Sequence, residues 1–111
     1  MPKRSHAYLP ATLEALSALG AQIAAARREL GWTGVELAER LGVSPQLVTR
    51  IEKGAAGTAV GTVLEAAVVC GVPLYGVDPQ RLGEVSERAR ARLALLPQRV
   101  DVRPVEVDDA F

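Results

Sequence analysis

The chain has 111 residues, which suits one domain with short tails. Hydrophobic residues make up 49% and aromatics 4%, so the core must be aliphatic, and thirteen basic residues cancel thirteen acidic ones. A single cysteine excludes an intrachain disulfide framework and a cysteine-rich zinc site.

No stretch approaches the roughly 18–20 uncharged apolar residues of a membrane span. Met1 to His6 carries charge with no apolar run behind it, so no signal peptide is expected and the cytoplasm is the expected compartment. Residues 1–11, with Pro2 and Pro10, read as a flexible arm. From about Thr12 to Leu30, Leu13, Leu16, Leu19, Ile23, Ala26 and Leu30 recur at three- and four-residue steps, one face of an amphipathic helix. Gly20 costs that helix some propensity, and Gly31 is a good stop.

Thr33 and Glu36 have the spacing of a capping box, which opens a second helix with Leu37, Ala38 and Leu41 on its inner face. Gly42 ends it. Ser44 then caps a third helix, with Pro45 at its first position, where a missing N–H costs nothing. That helix runs to Lys53 and stops at Gly54. Thr58 is expected to cap a fourth helix that is apolar on nearly every face and ends near Gly71. A fifth is expected from Pro79 to about Leu96. Leu82, Val85, Ala89, Leu93 and Leu96 form its apolar stripe, and Arg81, Arg88, Arg90 and Arg92 its basic one. Residues 98–111 read as a disordered acidic tail, and its interleaved valines and terminal Phe111 could fold onto a partner. Helices without a sheet make the expected fold all-α.

The informative segment is 33–54. Two short helices joined by a three-residue glycine turn are the pattern of a helix-turn-helix. Val48 and Ile51 anchor the third helix from below. Pro45, Gln46, Thr49, Arg50 and Lys53 are left on its outer face, where polar side chains can read base edges in a major groove. Nothing supports an enzyme: there is no phosphate-cradling glycine loop, metal cluster or nucleophile–base set. His6, the only histidine, is no ligand or base. Cys70 and Trp32 read as packing residues, and the arginine stripe as a solvated face or a contact for phosphates or an acidic partner.

This segment resembles the Cro and lambda-repressor type of helix-turn-helix, the XRE family, and the resemblance spans Leu19 to Val77. It implies a five-helix DNA-binding domain in which Pro45, Gln46 and Arg50 read bases. Ser44, Leu47 and Thr49 would lie beside the sugar-phosphate backbone. Thr33 and Lys53 complete the DNA-facing set. Arg27 and Glu52 fall on the ion pair that clamps the first helix to the third in many members. Three departures imply modest affinity per monomer. Gly34 replaces a polar phosphate brace, Pro45 offers only apolar contact, and the loop 55–57 has no basic residue.

A narrower resemblance lies in 61–67, in Val72-Pro73-Leu74-Tyr75 and in the stretch from Leu96 to Phe111, which look like HipB-type antitoxins. It implies a homodimer that represses its own operator, needs no cofactor and holds a HipA-type kinase toxin. A stand-alone repressor without a toxin, and an interaction module that has lost DNA binding, are the competing readings.

Overall fold

A computed structural model describes residues 7–100. Among them lie five α-helices and no strand: α1 (Pro10–Glu29), α2 (Gly34–Leu41), α3 (Pro45–Glu52), α4 (Val60–Cys70) and α5 (Leu82–Ala94), the last entered through a 3-10 turn, Pro79–Arg81. The fold is the expected all-α helix-turn-helix architecture.

The core is aliphatic, as the composition requires. Ile23 of α1, Leu37 and Ala38 of α2, Val48 and Ile51 of α3, and Val63, Ala66, Ala67 and Cys70 of α4 bury together with Val72. Half-buried Leu19, Ala26, Trp32, Leu41, Val43 and Leu47 close its margins. The stripe of α1 is buried only at its centre. Leu13 and Leu30, at its two ends, remain exposed.

Three local features differ from the sequence reading. First, α1 begins at Pro10, not Thr12. Proline occupies the first helical position, where its fixed φ is already helical. That takes Pro10 and Ala11 out of the expected arm, and Tyr8 lines a groove with Leu16, Leu19, Val60, Val63 and Leu64. Second, the N-cap of α4 is Ala59, which makes no side-chain cap. The Thr58 hydroxyl instead donates backwards to the Ala55 carbonyl at 3.2 Å. Third, the fifth helix starts as a 3-10 turn and ends at Ala94, and it buries no residue. Residues 1–6 of the arm and 101–111 of the tail lie outside the described residues.

Val72 leads into a tight turn. Leu74 and Val77 exchange two backbone hydrogen bonds at 3.0 Å, and Tyr75 and Gly76 between them have φ of 53° and 75°. Two successive positive φ values are what a type I′ turn requires. Tyr75 is thereby held out in solvent beside α5. Among the described residues no helix is long and apolar enough to cross a membrane.

Candidate nucleic-acid interface

The turn between α2 and α3 is built by backbone hydrogen bonds. Gly42 sits at φ 69°, a left-handed conformation that glycine takes without steric cost. The Gly42 amide donates to the Glu39 carbonyl and the Val43 amide to the Ala38 carbonyl, which satisfies the end of α2. Ser44 then opens α3: its hydroxyl accepts from the Leu47 amide at 3.2 Å. At the start of α2 the capping box is complete. Thr33 Oγ1 accepts from the Glu36 amide, and Glu36 Oε1 accepts from the Thr33 amide, both at 3.0 Å. These bonds, the one from the Thr33 backbone foremost, hold the Glu36 carboxyl below its ordinary pKa.

The C-terminal end of α3 is pinned. Gly20 of α1 meets its backbone so closely that an added Cβ would lie 2.5 Å from the Ile51 carbonyl oxygen and 2.7 Å from that of Glu52. Gly54, at φ 74°, lies against Ser17 in the same way, with a hypothetical Cβ 2.7 Å from the Ser17 backbone. Two turns along α1, Arg27 clamps Glu52. Its Nε donates to Oε2 at 2.6 Å and its Nη2 to Oε1 at 2.9 Å, while Nη1 donates to the Trp32 carbonyl at 2.8 Å. The pair is nearly buried, at 12% and 13% side-chain exposure. The hydrogen bond to Glu52 raises the Arg27 pKa against the opposing effect of burial. The Cys70 thiol is pushed up, by burial first and by the Glu52 charge second.

With Val48 and Ile51 buried and Glu52 clamped, the opposite side of α3 is free. Pro45, Gln46, Thr49, Arg50 and Lys53 are all exposed. Gln46, Arg50 and Lys53 stand four and three residues apart, which puts them in one line along the helix face opposite Val48. Thr49 sits beside that line with its hydroxyl donating to the Pro45 carbonyl at 3.2 Å. Thr33 and Ser44 are exposed at the mouths of their helices. Leu47 departs from this set: its side chain is half-buried against the core, so it supports α3 more than it faces outward.

One contact was not legible in the sequence pattern. The Arg40 guanidinium stacks on the Trp32 ring, 3.9 Å from its centroid, a cation–π arrangement that occupies the one basic residue of α2. Eight residues separate the two, a spacing that carries no helical or turn signal. Among the described residues no group of histidine, cysteine or acidic side chains could hold a metal ion.

A family model described as a helix-turn-helix domain matches residues 18–85. The match takes in α1 from its third turn through the start of α5. No curated protein and no solved structure matches the chain.

Proposed function

Since the chain belongs to the helix-turn-helix domain family, we propose that it is a sequence-specific transcriptional repressor that binds double-stranded operator DNA as a homodimer. The observation that carries this reading is the exposed line Gln46, Arg50 and Lys53 on a helix whose other end is fixed by Gly20, Gly54 and the Arg27–Glu52 pair. A rigidly mounted helix with a free polar face can lay its first turns in a major groove. There Gln46 pairs with adenine and Arg50 with guanine, the partners their donor and acceptor geometry fits. Lys53, with the hydroxyls of Thr33, Ser44 and Thr49, contacts phosphate and sugar.

The narrower form of the proposal is that the repressor is the antitoxin partner of a HipA-type kinase toxin. It rests on the sequence likeness of 61–67, of 72–75 and of the stretch from Leu96 to Phe111. A second reading, a protein-interaction module without DNA binding, is favoured by charge. Residues 12–78 hold five arginines and lysines against seven acids. The outer line of α3 itself carries no acid, however: Glu52, the one acid of α3, is paired with Arg27.

Selection from random-sequence duplexes separates these readings. The repressor enriches a two-fold symmetric site whose half-sites lie about 34–36 Å apart, or a multiple of that. Its affinity falls with salt, less steeply than about ten phosphate contacts per dimer would give. Failure to enrich any sequence would leave the interaction module standing. Co-purification with a kinase-like protein encoded beside it tests the toxin partnership separately.

A further inference from the structure

The seam between α1 and the C-terminal end of α4 is not closed by the core. A cleft of about 470 Å³ lies there, within the size range of small-molecule sites. Small residues leave the space: Ala25 and Ala26 on α1, and Gly71 at the end of α4, beside the buried Cys70. Val72 and Pro73 make an apolar wall. Leu30, at the rim, is a member of the α1 stripe and yet is 48% exposed.

The polar side of this cleft lacks a cation. Glu29 lines it and forms no ion pair among the described residues. Gln22, two helical turns earlier, stands on the same line of α1. The end of α4 is also uncompensated. Pro73 has no N–H to return to the Val69 carbonyl, and the Leu74 amide, which would serve Cys70, donates to Val77 instead. Neither carbonyl accepts a hydrogen bond among the described residues, and the last turn of α4 has no basic residue to face the negative end of its dipole. The neighbouring arginines do not fill this role. Arg27 is held by Glu52 and the Trp32 carbonyl, and Arg28 does not line the cleft. Burial keeps the Cys70 thiol protonated, so Glu29 supplies the one full charge of the lining.

We propose that this cleft binds a small organic ammonium ion. Its apolar body lies on Ala25, Ala26 and Val72 and covers Leu30, and its N–H groups donate to the Glu29 carboxylate and to the unpaired carbonyls at the end of α4. The site holds whether or not α3 reads DNA. It is nonetheless placed to act on α3. Ala26 and Arg27 are successive residues of α1, and Cys70 lies close enough to the clamp for the Glu52 charge to act on its thiol. The lining includes no residue of α3, so an occupant bears on the mounting of that helix while Gln46, Arg50 and Lys53 stay open.

The test is an NMR titration of the full chain with phenethylammonium, followed through the backbone amides. The expected result is saturable binding in the millimolar range, as an open cleft and a small ligand allow, with the largest shifts at Ala25, Ala26, Gly71 and Val72. Phenethyl alcohol, which has the same body without the charge, should bind about tenfold more weakly, and phenylacetate should not bind. Glu29→Gln should weaken phenethylammonium to the level of the alcohol, whereas Glu14→Gln, an exposed acid at the other end of α1, should leave it unchanged. Ala25→Leu, which fills the cleft from an exposed helix position, should abolish binding at unchanged helicity. The absence of saturable shifts would overturn the proposal, as would shifts centred instead on Tyr75 and α5. Equal binding by the Glu29→Gln protein, or by phenylacetate, would overturn the assignment of a cation.

Discussion

Replacing Gly20 by alanine separates two physical expectations of opposite sign. Helix propensity alone makes Gly20→Ala stabilising by about 1 kcal/mol, because alanine loses less backbone freedom in a helix interior. The crossing of α1 and α3 predicts the reverse. The new Cβ would lie 2.5 Å from one backbone oxygen of α3 and 2.7 Å from another, neither of which can rotate away. Reaching ordinary contact at 3.4 Å means parting the helices by roughly 0.9 Å. That movement also stretches the Arg27–Glu52 hydrogen bonds. Overpacking of a tight core costs about 1–3 kcal/mol, and weakening the clamp adds to it. After subtracting the propensity gain, the net loss is about 2 kcal/mol, or a Tm lower by about 10 °C in a domain of this size. Gly61→Ala in α4, where a Cβ meets nothing within 4 Å, is the control and should hold or raise the Tm. Thermal unfolding followed by circular dichroism decides. A Gly20→Ala protein as stable as the wild type would refute the claim that this crossing fixes α3.

Two further predictions concern the charged groups. Arg27→Ala strands the Glu52 carboxylate and the Trp32 carbonyl in a nearly dry site and should cost about 3 kcal/mol by urea unfolding. Replacing both partners together, Arg27→Met with Glu52→Leu, should cost much less, and equal losses would show that the charge pairing is not what matters. The lowered pKa of Glu36 means its ionised form is favoured by folding. Its contribution is therefore complete above the ordinary carboxylate value of 4.5 and fades as pH falls through the lower folded value. The stability difference between wild type and Glu36→Gln should be flat near neutrality and shrink below about pH 4.5. A difference that grows on acidification contradicts the capping assignment.

The helix-turn-helix was legible because its signals are local. Thr33 with Glu36, Gly42, and Ser44 with Pro45 each act within one turn of chain, and each takes the role its chemistry suggests. Arg27 and Glu52 lie twenty-five residues apart and were assigned by resemblance alone; the structure joins them bidentately. What stayed hidden depends on distant partners. Gly20 reads as a propensity defect until the backbone of Ile51 is seen against it. Thr58 is one residue early for a cap, and its hydroxyl turns to Ala55, because a hydroxyl can satisfy either neighbour. Pro10 punctuates an arm in sequence but opens a helix in the fold. The α5 stripe has a clear period, yet the period says only that one face is apolar, not that this chain's own core covers it.

The central claim is that α3 reads DNA through its exposed line. The most direct measurement is fluorescence anisotropy of Arg50→Ala on the site selected by the wild type and on duplexes altered base by base. Arg50 is exposed and holds nothing in the fold together, so the Tm should not move. Affinity for the selected site should fall by about 1–3 kcal/mol, with sequence preference lost at one position in each half-site. An Arg50→Ala protein that keeps both the affinity and the base preference of the wild type would contradict the assignment of α3 as the reading helix.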